Sequence, residues 1–181
     1  NEDRSSIAEA FRILRTSLLL ALGSDKKVVV FTSTVSGEGK TFVSINTAIS
    51  LALLNKKVLL IELDFRVPRV KQYLGLEAKE GFTNYLSGFE TDLEKLIIHS
   101  TINDNLHVLT SGPIPPDPAE LLSRDKLDKA IEELRNKYDF IVIDSAPVSQ
   151  VADTLILNRI SDETVYFSRT DYYSKKSLRF A

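Results

Sequence analysis

Cysteine, methionine and tryptophan are absent from this 181-residue sequence, and histidine occurs only twice. Without cysteine there is no disulfide and no thiolate metal site, a composition that suits a reducing compartment. His99 and His107 alone, well separated in the sequence, are too few to found a zinc centre. No run approaches the roughly 18 apolar residues that cross a bilayer, and the opening Asn1-Glu2-Asp3-Arg4 lacks the character of a secretory leader. The net charge is −2 with no long basic block, so no nucleic acid partner is implied. The missing methionine, absent even at position 1, reads as a piece cut from a longer polypeptide.

What is present suits one folded unit with a substantial core: 43% of residues are hydrophobic and 27% charged. Short β-branched runs recur at Lys27–Ser33, Lys57–Leu63, Asn105–Thr110, Tyr138–Asp144 and Glu163–Ser168. Two of them, Val58-Leu59-Leu60-Ile61 and Phe140-Ile141-Val142-Ile143, are apolar without alternation, as strands buried on both faces of a parallel sheet read. Helical patterns lie between them at Thr41–Leu54, Leu93–Ser100, Ser123–Lys137 and Val151–Arg159. The alternation predicts an α/β fold, a doubly wound and mainly parallel sheet with helices on both faces. A single domain over residues 1–181 is expected, opening with a helix over 4–22. Gly112–Ala119 is a proline-rich loop from which Asp117 or Pro118 starts a short helix.

The chemistry concentrates at strand ends, where doubly wound sheets bind ligands. Thr34-Val35-Ser36-Gly37-Glu38-Gly39-Lys40-Thr41 follows the first strand and opens a helix. A strand, a glycine-containing loop and a helix N-terminus together aim backbone N–H groups at one phosphate. Ser36, Gly37, Glu38, Gly39, Lys40, Thr41 and Phe42 form the expected nucleotide-binding segment, with Lys40 for the β- and γ-phosphates and Thr41 for Mg²⁺. Thr34 stands where the usual pattern has its first glycine. Glu62-Leu63-Asp64-Phe65-Arg66 ends the second strand and Asp144-Ser145-Ala146-Pro147 the fourth. A carboxylate so placed beside a phosphate loop holds Mg²⁺ directly or through water.

These motifs resemble those of the bacterial tyrosine kinases (BY-kinases) of polysaccharide synthesis and export. Thr32–Thr41 matches their Walker A segment, Val58–Arg66 their Walker A′ and Phe140–Pro147 their Walker B. Gly112–Leu122 closely resembles a segment the family carries between the last two. The resemblance covers essentially the whole chain. It implies a MinD/ParA-like P-loop fold, ATP and Mg²⁺ as cofactors, and transfer of phosphate to tyrosine. Carried over residue by residue, it assigns Lys40 to the phosphates and Thr41, Asp64 and Asp144 to the metal, Asp64 also sitting beside the incoming hydroxyl. Glu62 departs from the family, replacing the first Walker A′ aspartate with a side chain one methylene longer. It is expected as a base or a ligand at one remove from the metal. Arg66 either pairs with these carboxylates or stabilises phosphate charge.

The resemblance also implies partners. Glu9, Arg12 and Arg15 match a Glu-x-x-Arg-x-x-Arg motif that makes subunit contacts in a ring-shaped, octameric homo-oligomer. Ile7, Phe11, Leu14 and Leu18 make the adjoining apolar stripe. Further implied partners are a transmembrane adaptor, fused or separate, tyrosine-rich tails offered to neighbouring subunits, and a phosphotyrosine phosphatase. The expected location is the cytoplasmic side of the bacterial plasma membrane. Tyr172-Tyr173 is the one adjacent tyrosine pair, close to a predicted strand end; the family's C-terminal helix and tyrosine tail are expected to lie beyond this sequence. Arg169, after the last strand, is a weak candidate for the adenine. The alternative is a MinD/ParA-like ATPase switch without kinase activity. Its signature lysine is replaced here by Val35, which counts against it, as does the Gly112–Leu122 loop. A nucleotide-binding scaffold with a decayed site is opposed by Lys40, Thr41, Asp64 and Asp144.

Overall fold

The computed structural model describes residues 2–148 and 153–169. The expected strand runs appear, trimmed at their ends, as β1 (Val28–Ser33), β2 (Val58–Glu62), β4 (Leu106–Leu109), β5 (Phe140–Asp144) and β6 (Glu163–Phe167). A two-residue strand not foreseen, β3 (Ile98–His99), adds an edge. Among the described residues the order is β3-β4-β2-β5-β1-β6, and only the β3–β4 pairing is antiparallel. The central strands explain their own sequences. Val28, Val30, Leu59, Ile61, Ile141 and Ile143 enter one core, while Val29, Phe31, Val58, Leu60, Phe140 and Val142 enter the other. Strand side chains alternate between faces, so burial on both faces demands an unbroken apolar run. Truncating one such residue to alanine costs about 2–5 kcal/mol.

One face is covered by α1 (Glu2–Leu22), α2 (Lys40–Ala52) and α3 (Val70–Leu74). The other is covered by α4 (Phe82–Ser87), α5 (Pro118–Ser123) and α6 (Asp125–Arg135). The α6 helix buries Leu127, Ala130, Ile131 and Leu134, the i, i+3, i+4, i+7 stripe of an amphipathic helix. Asp117 caps α5 through the Glu120 N–H, with Pro118 in its first turn, as the sequence predicts. The last described helix, α7 (Asp153–Ile156), continues as a 3₁₀ turn over Leu157–Arg159; residues 151–152 of that expected helix lie outside the described residues.

Two differences from expectation have local causes. Leu93–Ser100 is not one helix: Asp92 caps a 3₁₀ turn at Leu93–Leu96, and the chain then extends so that Ile98 and His99 pair with Val108 and His107. The α3 and α4 helices went unread because each is five or six residues long, too short to show a period. Both end on left-handed glycines, Gly75 and Gly88.

Candidate active site

The strand order brings the three motif-bearing ends together, because β1, β5 and β2 are adjacent and parallel. Their carboxyl ends deliver the phosphate loop, Asp144 and Glu62–Asp64 to one edge. The loop passes through Gly37 (φ 90°) and Gly39 (φ 102°), left-handed conformations that glycine adopts without strain. Gly39 is the N-cap of α2 and offers no side-chain cap, so the first N–H groups of that helix remain available to an anion.

Asp144 is the hub. Its Oδ1 accepts from Lys40 Nζ at 2.7 Å and from Ser44 Oγ at 3.1 Å, and its Oδ2 accepts from Thr41 Oγ1 at 2.8 Å. Lys40 Nζ also lies 4.0 Å from Asp64 Oδ2. All of Lys40, Asp64 and Asp144 are buried. Burial pushes the Asp64 carboxyl above its ordinary value of 3.8, opposed by the Lys40 charge and by the Val67 and Arg66 N–H groups. A carboxylate held this way is poised to take up a proton nearer neutrality than a solvated one.

A cleft of about 190 Å³ opens over this cluster. Ser33, Val35, Ser36, Gly37, Gly39, Lys40 and Thr41 form one wall, Asp64, Val67, Arg69 and Tyr73 the other, and Pro147 also lines it. Of the sequence-predicted residues, Ser36, Gly37, Gly39, Lys40, Thr41 and Asp64 thus border one space, with Asp144 beneath Lys40 and Thr41. Ser44, Arg69 and Tyr73 were not anticipated.

Three predicted residues point elsewhere. The Glu38 side chain is buried away from the cleft and accepts the N–H groups of Val35 (2.9 Å) and Arg169 (3.0 Å). Phe42 packs edge-on against Phe11 of α1, ring centroids 5.9 Å apart. Glu62 is the third. It is fully buried, and its Oε1 accepts the N–H groups of Arg69 (2.5 Å) and Val70 (2.7 Å), while Oε2 accepts that of Ser111 (3.1 Å). Burial raises its pKa, the three N–H groups lower it, and Asp144 adds to the rise. With both oxygens given to backbone, Glu62 braces the segment after β2 against the loop after β4 instead of facing the cleft as a base. Arg66 is exposed at the end of the motif, its N–H donating to Asp64 at 3.3 Å.

Thr34, in place of the usual glycine, shares a 2.7 Å hydrogen bond with the hydroxyl of Tyr166 on β6. The proline-rich loop is fastened to α4: Thr110 O accepts from Phe82 N, Ser111 O from Thr83 N and Pro113 O from Thr83 Oγ1. On α1, Glu9 and Arg12 are exposed and paired at 2.9 Å, whereas Arg15 Nη1 turns inward to Ser50 O of α2 at 2.8 Å.

The hard oxygens of Thr41, Asp144 and Asp64 are the donor set Mg²⁺ prefers. Among the described residues no group of three or more acidic or histidine side chains could hold a metal unaided.

Comparison with known proteins shows the family. A family model described as an AAA domain matches residues 26–179. The chain is 32% identical over its whole length to the putative tyrosine-protein kinase CapB of Staphylococcus aureus, covering 79% of that protein. It is 38% identical to the tyrosine-protein kinase YwqD of Bacillus subtilis, over 91% of this chain and 69% of the relative. The solved kinase domain of the Escherichia coli tyrosine kinase ETK superposes with a TM-score of 0.90 at 31% identity, over 95% of this chain and 67% of that one. A more remote likeness in fold alone, at 22% identity and TM-score 0.66, covers 78% of this chain and 57% of the septum site-determining protein MinD of Pyrococcus horikoshii. The chain belongs to the bacterial tyrosine-protein kinases, within the nucleotide-binding P-loop class that its fold and site define.

Proposed function

We propose that this chain transfers the γ-phosphoryl group of ATP to protein tyrosines, including tyrosines of its own assembly. The observation that carries this reading is the buried Lys40–Asp144–Thr41 cluster with Asp64 beside it, at the foot of a cleft walled by the phosphate loop. Phosphoryl transfer needs mainly positioning and charge stabilisation. Lys40 and the N–H groups of the loop hold the phosphates. Asp64 accepts the phenolic proton as the tyrosine oxygen attacks phosphorus; the bond from phosphorus to the bridging oxygen breaks, and ADP leaves with the electron pair. Thr41 and Asp144, with Asp64 adjacent, would hold Mg²⁺, which when bound neutralises charge on the phosphate oxygens. Glu62 positions the cleft wall and takes no proton.

Control of exopolysaccharide or capsule synthesis and export is the biological role we assign. The assembly we infer is a ring-shaped homo-oligomer, octameric as in the resembled family, at the cytoplasmic face of the plasma membrane. A transmembrane adaptor would activate it and a phosphotyrosine phosphatase reverse it. No helix among the described residues is long and apolar enough to cross a membrane. Exposed Glu9 and Arg12, beside an apolar groove between α1 and α2 lined by Ile7, Phe11 and Leu53, support the use of α1 as a subunit contact.

The test is incubation with Mg·ATP and a tyrosine-containing acceptor, followed by detection of phosphotyrosine, with Lys40→Met as control. Phosphotyrosine that disappears in the control supports the kinase. Release of ADP and phosphate without phosphotyrosine would replace it with a switch ATPase, and binding without either product with a scaffold.

A further inference from the structure

Charge in the cleft does not balance for an anionic ligand. Asp64 and Asp144 offset the single positive charge of Lys40, which is itself engaged by both. Among the described residues, the other cation bordering the same space is Arg69, on the wall facing the phosphate loop. Its guanidinium makes no ion pair or hydrogen bond with the described residues; only its backbone is engaged. That backbone is held firmly. Glu62 Oε1 accepts the N–H groups of both Arg69 and Val70, Tyr73 N donates to Arg69 O, and Pro68 restricts the preceding turn. A buried carboxylate is thus spent on fixing where an exposed arginine emerges.

We propose that Arg69 contacts the terminal phosphoryl group of the nucleotide and stabilises its oxygens during transfer to tyrosine. The phosphate loop lines one side of the cleft, while Asp64 and Arg69 share the opposite wall. As the bond to the leaving ADP oxygen lengthens and the tyrosine oxygen closes in, negative charge spreads over the equatorial oxygens of the group in flight. A planar guanidinium binds two such oxygens at once, and it is always charged. Glu62 acts through Arg69 as a positioning residue.

This inference rests on the kinase reading, and a binding measurement separates the two. Titration calorimetry with Mg²⁺ compares a non-hydrolysable ATP analogue with ADP on wild type, Arg69→Ala, Arg69→Gln and Arg69→Lys. Arg69→Ala is expected to weaken the ATP analogue at least tenfold while leaving ADP within twofold. At saturating ATP its phosphotyrosine kcat is expected to fall at least a hundredfold, a loss on the scale of deleting a single transition-state donor. Arg69→Lys recovers most of the affinity for the analogue but little of the rate, because the fork is gone. Glu62→Gln, which keeps one acceptor oxygen, lowers kcat less than Glu62→Ala does. Arg69→Gln guards against a misfolded alanine variant, and an unchanged melting shift with ADP verifies the fold. Equal weakening of both nucleotides, or a rise in acceptor KM alone with kcat intact, overturns the assignment. Absence of phosphotyrosine from wild type sinks the kinase reading instead, and the ATP-to-ADP ratio still judges Arg69.

Discussion

At the amino ends of β1 and β5, Asp162 accepts the N–H groups of Lys27 and Val28, both at 2.8 Å, and two bonds from Arg135 at 2.6 and 3.1 Å. At the carboxyl ends of those strands and of β2, Asp64 shares a buried space with Asp144 and Lys40. Burial pushes Asp162 upward too, yet Arg135 and the two N–H groups outweigh it and hold the carboxyl below 3.8. For Asp64 burial wins, and the carboxyl stays above 3.8. The signs for stability are therefore opposite. A depressed folded pKa stabilises the protein above the unfolded value and is lost as pH falls, whereas a raised one withdraws stability as pH rises through the carboxylate range. One end of the sheet uses its carboxylate to hold elements together; the other keeps the Asp64 carboxylate costly and reactive. A carboxylate raised by burial beside a phosphate loop suits proton transfer, whereas one lowered by an ion pair suits a structural tie.

The sharpest way to break this contrast is Asp64→Asn. Phosphotyrosine formation should fall about 10²- to 10⁴-fold, the usual contribution of a positioned base. The melting temperature should hold or rise, since a buried charge is removed. A matching loss of stability would make Asp64 a structural residue like Asp162. The wild-type pH profile sharpens the same point. The ionised form is the active base, so kcat/KM should rise with pH through an acid limb above 3.8, the ordinary aspartate value; a limb at or below it would contradict the raised carboxyl.

Asp162→Ala is the mirror experiment. Urea unfolding should show a loss of about 2–3 kcal/mol, because two strand N–H groups and Arg135 lose their acceptor. The kcat of the folded enzyme should not move. Gly112→Ala is expected to cost about 1–3 kcal/mol in the same assay. Gly112 has φ +83°, and an added Cβ would lie 2.7 Å from Thr83 Oγ1 and 2.8 Å from Gly81 N. Smallest is Arg12→Ala, whose exposed pair with Glu9 contributes at most about 0.5 kcal/mol. Together with Arg15→Ala it should nonetheless reduce oligomer size in solution if α1 is the subunit contact.

Much of the carboxyl end is legible in the sequence alone. The apolar runs of β2 and β5 announce burial on both faces, and glycines before a Lys-Thr pair announce a phosphate loop. Strand order then had only to bring three ends together. What escaped were contacts set by chain path instead of spacing. The acceptor role of Glu62 depends on Ser111, 49 residues away, and on a five-residue helix with no periodic signature. Ser44 looks like any polar residue on α2 until Asp144 is placed 3.1 Å from its hydroxyl. Arg69 and Tyr73 enter the cleft only because Glu62 fixes the segment that carries them. Tyr172 and Tyr173 lie outside the described residues.

The buried carboxylate of Glu38 has a thermodynamic consequence. It ties the phosphate loop at Val35 N to the chain leaving β6 at Arg169 N, and the Thr34–Tyr166 bond fixes the start of the same loop. The conformational entropy of ordering that loop is therefore surrendered when the protein folds, not when a nucleotide arrives. An incoming phosphate meets N–H groups already aimed, so its affinity reflects contact energy with little subtracted for rearrangement. Cutting the Glu38 tether should appear as a more unfavourable entropy of nucleotide binding, with the direct phosphate contacts unaltered.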